Sequence, residues 1–152
     1  YIEMPLSLND PAPDFSLPST SGKTFRLSED QNGRPCILYF YPKDFTNVCT
    51  AEACAFRDQF AEFRGLDIDV YGISRDTVET HQKFRETYKL PFELLADVDG
   101  NVAKLYKARI PVIGMTRRVT YLLDAQHRIA AVYEEMFGAE GHIRAMIEKV
   151  KK

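Results

Sequence analysis

One stretch decides the fold of this chain: Pro35-Cys-Ile-Leu-Tyr-Phe-Tyr-Pro-Lys-Asp-Phe-Thr-Asn-Val-Cys-Thr-Ala-Glu-Ala-Cys54. Its first part, up to Tyr41, is a continuous apolar, β-branched and aromatic run, which predicts a buried central strand. Its second part predicts a helix that starts near Asn47, with Thr46 or Asn47 as the N-cap. The stretch therefore predicts a buried strand that leads through a short loop into a helix.

Strand and helix patterns alternate along the rest of the chain. Asp69-Val-Tyr-Gly-Ile-Ser74 predicts a second strand, and Asp76-Thr-Val-Glu79 predicts a capping box that opens a helix ending near Leu90. The other predicted elements are short extended pieces at Asp14–Leu17 and Lys23–Leu27, a strand at Phe92–Ala96, a turn at Asp97–Asn101, a short helix at Val102–Lys107, a hairpin of Val119–Asp124 with Arg128–Tyr133, and a last amphipathic helix with Ile143, Met146, Ile147 and Val150 on its apolar face.

The order of these elements predicts the fold class. The helix after the first strand carries Phe56, Phe60 and Phe63 in one apolar stripe that we expect to face the core. The whole order indicates an α/β sandwich with a mixed sheet, parallel in its first half and antiparallel in its second. This is the order of a thioredoxin-like fold, a mixed central sheet flanked by helices, with an N-terminal extension. We expect a single domain over residues 1–152.

Composition excludes several classes of function. The 152 residues are 45% hydrophobic and 28% charged, which is typical of a globular protein. A formal net charge of -2 gives no basic surface for nucleic acid, and no apolar run approaches the roughly 18 residues needed to cross a membrane. The first residue is Tyr1 rather than Met, so a removed leader stays open. Three cysteines are too few for a disulfide-stapled secreted domain, which favours a reducing compartment and a cytoplasmic localisation.

Cys49 and Cys54 have the properties of a redox pair. The predicted helix places Cys49 in its first turn, where free N–H groups and the helix dipole favour a thiolate. Five residues along an ideal helix separate two Cα atoms by about 8–9 Å. A disulfide needs a Cα separation of about 4.4–6.8 Å, so the two sulfurs cannot bond while the helix is intact. If they do bond, the first turns of the helix must unwind.

The motif Pro42-x-x-x-Thr46-x-x-Cys49 resembles that of the peroxiredoxins, most closely the bacterioferritin-comigratory-protein or PrxQ group. Flanking residues Leu-Tyr-Phe-Tyr before it and Thr-Ala-Glu-Ala-Cys after it also match. The resemblance spans nearly the whole chain in order, through three further stretches: Pro11-Ala-Pro-Asp-Phe-Ser-Leu17, Tyr71-Gly-Ile-Ser-Arg-Asp76 and Arg118-Val-Thr-Tyr-Leu-Leu-Asp124.

The resemblance implies a thiol peroxidase that reduces hydrogen peroxide and organic hydroperoxides. Cys49 would be the peroxidatic cysteine, which attacks the O–O bond and becomes a sulfenic acid. Thr46 would use its hydroxyl to hold the thiolate and the peroxide oxygens, and Pro42 would shield the thiolate from water. Cys54 would resolve the sulfenic acid as an intramolecular disulfide.

The resemblance also implies the charged groups and the partners. Arg118 would stabilise the thiolate and the leaving oxygen, and Glu52 would orient that arginine. Strand alternation favours Arg118 over Arg117, because it puts Arg118 on the same face as Leu122. Thioredoxin or a similar dithiol would recycle the enzyme. No cofactor is expected, and the chain is expected to be a monomer or a weak dimer.

The chain departs locally from the family pattern. Asn47-Val48 stands where the family has a small pair such as Pro-Gly, and Phe45 replaces a more polar residue. These changes make the mouth of the site more apolar and affect the expected substrate preference. The segment 110–116 is compact where many relatives carry a longer loop.

Other readings of the same residues stay open from the sequence. A thiol–disulfide oxidoreductase of the same fold would need a Cys-x-x-Cys pair, and a non-enzymatic redox sensor would use the helix unwinding to alter a partner surface. Cys36 is expected to be a core residue. No metal site is expected, because zinc needs about four ligands. The histidines, which we expect on the surface or in packing roles, lie on different elements: His81, His127 and His142.

Overall fold

The structure is a computed structural model that describes residues 4–134 and 139–151, without the side chains of 139–142 and 151. His142 therefore lies outside the described side chains. The described residues form strands β1 Ser16–Pro18, β2 Thr24–Arg26, β3 Cys36–Phe40, β4 Asp69–Ser74, β5 Glu93–Ala96, β6 Val119–Leu123 and β7 Ile129–Glu134. Their helices are α1 Leu27–Asp30, α2 Asn47–Asp58, α3 Phe60–Gly65, α4 Val78–Tyr88, α5 Asn101–Leu105 and α6 Ala139–Lys151.

A mixed sheet with the order β5-β4-β3-β6-β7 forms the centre of the fold. β3 pairs with β4, and β4 with β5, in parallel, whereas β6 pairs antiparallel with both β3 and β7. β1 and β2 form a separate antiparallel pair in the N-terminal extension. The predicted fold class, with a parallel first half and an antiparallel second half, is confirmed.

Alternation along the strands divides the core into two layers. On β3, Ile37 and Tyr39 face one layer with apolar residues of α2, α3, α4 and α6. Cys36, Leu38 and Phe40 face the other layer, with residues of the N-terminal extension and α5. All five residues of β3 are buried, as expected of a central strand. The loop that carries Pro42 and Thr46 leaves this strand at its carboxyl end.

The prediction that Phe56, Phe60 and Phe63 lie on one continuous helix is wrong. The helix breaks at Gln59, whose backbone φ of -101° and ψ of 3° leave the helical region. Phe60 therefore belongs to α3 rather than to α2. The rings of Phe56 and Phe60 both contact Phe92, with centroid distances of 6.4 and 6.1 Å. The break places both rings around one core residue.

The N-cap of α4 also differs from the prediction. Thr77, not Asp76, caps the helix, and its Oγ1 accepts from the backbone N–H of Thr80. The carboxylate of Asp76 instead accepts from the Ser74 hydroxyl at 2.5 Å and from the Asp44 backbone N–H at 2.9 Å. Asp76 thus ties the carboxyl end of β4 to the loop after β3.

Gly72 leaves room for the side chains of Tyr39 and Leu94, from the two neighbouring strands, to lie over its backbone. A Cβ at this position would lie 2.7 Å from the ring and hydroxyl of Tyr39 and 2.8 Å from Leu94. The Tyr39 ring is completely buried, stacked between Tyr41 and Phe56 at 5.3 and 4.6 Å. Because its neighbours fill the layer, the ring has no free space into which to move.

We therefore expect Gly72→Ala to lower the free energy of unfolding by about 1–3 kcal/mol, the usual cost of overpacking a core. Gly65→Ala is the matched control, because a Cβ there meets nothing within 4 Å. This control should be neutral or stabilising by about 0.4–1 kcal/mol. Chemical denaturation of both variants measures the difference, and equal stabilities would contradict the packing argument.

Candidate active site

The loop after β3 and the first turn of α2 place Cys49 in the interior. Thr46 is the N-cap of α2, with extended backbone angles of -87° and 154°, and α2 begins at Asn47. Cys49 is therefore the third residue of the helix, where backbone N–H groups still lack intrahelical partners. Its side chain is only 1% exposed. The predicted helix start and the position of Cys49 in its first turn are confirmed.

Arg118 reaches the sulfur of Cys49 from the adjacent strand. It directly precedes β6, whose Val119 pairs with Phe40 at the end of β3. One guanidinium nitrogen, Nη2, donates to Cys49 Sγ at 3.1 Å. The antiparallel pairing of β3 with β6 thus brings together two residues that are 69 positions apart in the sequence.

Glu52 binds the same guanidinium through its other terminal nitrogen. Its Oε1 accepts from Arg118 Nη1 at 2.8 Å. Glu52 follows Cys49 by three positions on α2, so both side chains lie on one face of the helix. The Glu52 and Arg118 side chains are only 3% and 13% exposed. A nearly buried carboxylate therefore fixes the cation that contacts the sulfur.

The charge of Arg118 is stabilised in this position. Burial alone lowers the pKa of Arg118, but the Glu52 carboxylate and the hydrogen bond to Cys49 outweigh it and raise that pKa overall. The guanidinium therefore stays a cation while it is largely removed from water. A permanent cation against a sulfur favours the thiolate and any negative charge that develops nearby.

Arg117 points away from the site. Its Nη2 donates to the Lys107 carbonyl at 3.2 Å and lies 3.7 Å from Glu134. The neighbouring positions of β6 divide between the two layers in the same way, with Leu122 in the layer of α2 and Val119 in the other. The structure thus places Arg118, and not Arg117, at Cys49.

Thr46 does not hold the sulfur in this state. The residue is exposed, and its hydroxyl donates to the Lys43 carbonyl at 3.0 Å. Because a hydroxyl has one proton, Thr46 has none left for the Cys49 thiolate, although its oxygen can still accept. Pro42, half-buried, begins the same loop. The structure thus brings Cys49, Glu52 and Arg118 into direct contact and keeps Thr46 at the rim.

The other two cysteines differ in burial. Cys54 lies on α2 five positions after Cys49 and is half-buried, and neither is in a disulfide. An intact α2 holds their Cα atoms about 8–9 Å apart. Cys36 is fully buried in β3, and burial, followed by the nearby Asp69 carboxylate, raises the pKa of its thiol. Cys36 therefore stays a protonated core residue.

A buried polar cluster beneath the loop was missed by the sequence reasoning. Asp44 accepts from the Tyr41 hydroxyl at 2.5 Å and contacts His81 Nδ1 at 2.6 Å, while His81 Nε2 faces the Leu95 carbonyl at 3.0 Å. His81 is completely buried, as the packing role among the two expected for the histidines requires, and both of its ring nitrogens have polar partners. The ligand atoms of Asp44, Asp76 and His81 lie within 4.8 Å of one another, close enough to be considered as metal ligands. In the sequence, the one signal for this cluster is Asp44, a charged residue inside the loop between Pro42 and Thr46.

The mouth of the site is apolar, as the departures from the family pattern predict. Phe45 and Val48 flank the helix start and are 47% and 48% exposed. Further exposed apolar side chains lie in the segment 110–116, namely Val112, Ile113 and Met115.

In the described part of the chain, no helix combines the length and apolar character that crossing a bilayer requires.

Comparison with known proteins agrees with this geometry. The model of the AhpC/TSA family matches residues 8–132. A protein of Coxiella burnetii named peroxiredoxin bcp is 36% identical, covering 97% of this chain and 100% of the relative. A chloroplastic peroxiredoxin Q of Oryza sativa subsp. japonica is 39% identical over 91% of this chain, which spans 64% of the rice protein.

Solved structures show the same relationship. Peroxidoxin BcpB from Mycobacterium tuberculosis superposes with a TM-score of 0.88 at 31% identity, covering 98% of this chain and 97% of that one. A PrxQ mutant from Xylella fastidiosa superposes with a TM-score of 0.82 at 26% identity, covering 99% and 96%. The chain therefore belongs to the AhpC/TSA family and, within it, to the bacterioferritin-comigratory and PrxQ peroxiredoxins, which makes it a thiol peroxidase.

Proposed function

We propose that Cys49 is the nucleophile of this peroxidase and that Arg118 and Glu52 are its electrostatic partners. The observation that carries the assignment is the 3.1 Å contact between Arg118 Nη2 and Cys49 Sγ, with the second nitrogen of the guanidinium held by Glu52. A thiolate at a helix N-terminus and against a cation is the species that attacks a peroxide.

In the first half-reaction, the Cys49 thiolate attacks one oxygen of the peroxide and the O–O bond breaks. The sulfur becomes a sulfenic acid, and the other oxygen leaves as water or an alcohol after taking up a proton. Negative charge moves from sulfur to the leaving oxygen during this step. Arg118 is placed to stabilise that charge at both ends of its movement. The Thr46 hydroxyl donates its proton to the Lys43 carbonyl, so its oxygen would accept a hydrogen bond from the peroxide.

In the second half-reaction, the Cys54 thiolate attacks the sulfenic sulfur of Cys49, and the S–O bond breaks to release hydroxide, which takes up a proton from solvent to become water. The intact helix forbids this bond, so the first turns of α2 must unwind before it forms. The far end of α2 is held more firmly. Phe56 is 1% exposed, and Arg57 donates to the Tyr88 carbonyl of α4 at 2.7 Å. We therefore place the unwinding between the N-terminus of α2 and Cys54.

The remaining parts of the proposal concern partners and setting. A dithiol reductant of the thioredoxin type would reopen the disulfide, with its own two thiols oxidised in exchange. Hydrogen peroxide and organic hydroperoxides are the proposed substrates, and the apolar Phe45 and Val48 favour the latter. We further propose one domain, a monomer or weak dimer, and a cytoplasmic localisation. The oxidoreductase and redox-sensor alternatives are not favoured, since the relatives are peroxiredoxins.

Cys49→Ser should abolish peroxide consumption while the fold remains intact, because a serine hydroxyl stays protonated and cannot replace the thiolate. The assay couples NADPH oxidation to peroxide through thioredoxin and its reductase. Cys36→Ser is the matched control and should keep its turnover. Full turnover by Cys49→Ser would contradict the assignment.

Arg118→Ala should slow the oxidation of Cys49 by peroxide by on the order of 10²–10³, the usual effect of losing one positioned donor. Arg117→Ala is the matched control, because that side chain lies on the other face and contacts Lys107 and Glu134. Rapid-quench trapping of Cys49 during single-turnover oxidation, followed by mass spectrometry, measures both variants. Equal effects would show that the active arginine is misassigned.

Peroxide should convert the reduced protein into an intramolecular Cys49–Cys54 disulfide, with loss of hydrogen-exchange protection in the first turns of α2. In Cys54→Ser the sulfenic acid should persist, and excess peroxide should carry it on to sulfinic acid. Mass spectrometry of both proteins gives the pairing and the oxidation state. A Cys36–Cys49 bridge, a dimer-linking bridge, or a Cys49–Cys54 bridge with α2 still protected would each refute this resolution step.

A further inference from the structure

α4 contacts the catalytic loop through one face. His81, Phe84 and Tyr88 follow each other at intervals of three and four positions, so they project from the same side of the helix. His81 Nδ1 lies 2.6 Å from the Asp44 carboxylate. The ring of Phe45 packs against Phe84 and Tyr88, with centroid distances of 5.1 and 6.2 Å. Two consecutive loop residues are thus held by α4, between Pro42 and Thr46.

The polar part of this contact is buried and its geometry assigns the protons. Asp44 is 3% exposed and His81 is 0% exposed. His81 Nε2 faces a carbonyl oxygen of Leu95, which can only accept, so Nε2 carries a proton. One further proton must then lie between His81 Nδ1 and the Asp44 carboxylate, because two lone pairs at 2.6 Å would repel each other.

The other partners of Asp44 complete the arrangement. Burial raises the pKa of the Tyr41 phenol well above its usual value, so its hydroxyl stays protonated and donates to Asp44 Oδ1. The backbone N–H of Asp44 donates to Asp76, which also accepts from Ser74 at the end of β4. Asp44 is therefore fixed by its side chain to Tyr41 and His81, and by its backbone N–H to Asp76 in the loop between β4 and α4.

The backbone next to Asp44 needs such support. Phe45 has a positive φ of 65°, a conformation that a bulky non-glycine residue adopts at a cost. It persists only where surrounding contacts determine it, and here the Phe84 and Tyr88 rings provide them. The turn at Phe45 aims Thr46 and the start of α2. The strained backbone of Phe45, the residue before the N-cap, is thus stabilised by the contacts of its own ring with Phe84 and Tyr88.

We propose that Asp44 and His81 are positioning residues of the peroxidase, which hold the Pro42–Thr46 loop in the shape that admits peroxide to Cys49. This rests on the proposed role of Cys49. Neither residue touches the sulfur in the described contacts. They act through Pro42 and Thr46, which flank Asp44 in the loop, and through the strained turn at Phe45.

The alternative role for the cluster of Asp44, Asp76 and His81 is to bind a metal ion. The donors of Asp44 and His81 lie 2.6 Å apart, a hydrogen-bond distance. Two ligand atoms bound to one tetrahedral zinc at about 2.0–2.1 Å lie roughly 3.3 Å apart. The side chains would have to separate and lose their shared proton to admit the ion. The geometry therefore favours the hydrogen-bonded pair.

The test distinguishes the effect of the Asp44 side-chain contacts from the effect of its negative charge. Asp44→Asn keeps an acceptor for Tyr41 and a donor for a neutral His81, so every side-chain contact of the cluster can form without the shared proton. Asp44→Ala removes both contacts, and Tyr41→Phe removes one while its ring packing remains. Asp69→Ala is the stability control, because it deletes a carboxylate bound by Gln31 and Arg64 at the opposite end of β4.

Two rate constants are measured on each folded variant: oxidation of Cys49 by hydrogen peroxide, and alkylation of Cys49 by iodoacetamide. In Asp44→Ala, oxidation should fall by on the order of 10²-fold, as expected for a misplaced catalytic geometry, while alkylation is unchanged or faster. Tyr41→Phe should fall in between, which keeps the test decisive if Asp44→Ala does not fold. Asp44→Asn should stay within about threefold of wild type, because its hydrogen bonds are retained.

The outcomes distinguish this proposal from the assignment of Cys49. Peroxide oxidation within about twofold of wild type in Asp44→Ala, or an equal loss in both rate constants, overturns the positioning role. Asp44→Asn as slow as Asp44→Ala would show that charge, not position, is required, and also overturns it. So would stoichiometric Zn²⁺ binding by wild type that Asp44→Asn lacks. A wild type that is inactive, or an active Cys49→Ser, would instead refute the nucleophile.

Discussion

The guanidinium of Arg118 lies between a carboxylate and a sulfur, in a place where water reaches little of it. Removing a cation from water costs several kcal/mol, and only well-placed partners offset that cost. Glu52 supplies one partner at 2.8 Å and Cys49 the other at 3.1 Å. Because Glu52 and Cys49 share one face of α2, Arg118 ties that face of the helix to the start of β6. The charge that stabilises the thiolate in the proposed mechanism thus also contacts two residues of the helix that carries the sulfur.

This arrangement sets two requirements against each other. On the proposed mechanism, the intact first turn of α2 activates Cys49, yet the same turn keeps Cys54 out of bonding distance. A helix stable enough to activate the thiol must therefore also be able to open after the thiol has reacted. Oxidation helps in one direction, because a neutral sulfenic acid no longer offers Arg118 the negative charge of a thiolate. The interaction that closes the site is weakened by the chemistry that makes opening necessary.

The sequence could predict those parts that depend on local pattern. The apolar run of β3 predicts its burial, and strand alternation selects Arg118 over Arg117. The polar pair Thr46-Asn47 predicts where α2 begins, although the Thr46 hydroxyl makes no capping hydrogen bond. The break at Gln59 and the cap at Thr77 were not predictable in this way, because tertiary contacts with Phe92 and Asp44 compete with the local preferences. The Asp44–His81 pair spans 37 positions and joins a loop to a helix. No periodicity links two such residues, so only the folded structure brings them together.

The contacts of α4 explain how the site could open and re-form. α4 holds the chain before α2 through Asp44 and Phe45, and it holds the end of α2 through Arg57, whose guanidinium donates to the Tyr88 carbonyl. The segment proposed to unwind, from Asn47 to Cys54, lies between these two anchors. A chain fixed at both ends loses less conformational entropy when it refolds than a free one, since loop closure is already made. Reduction of the disulfide would therefore return α2 to a template that had not moved, with Cys49 again facing Arg118.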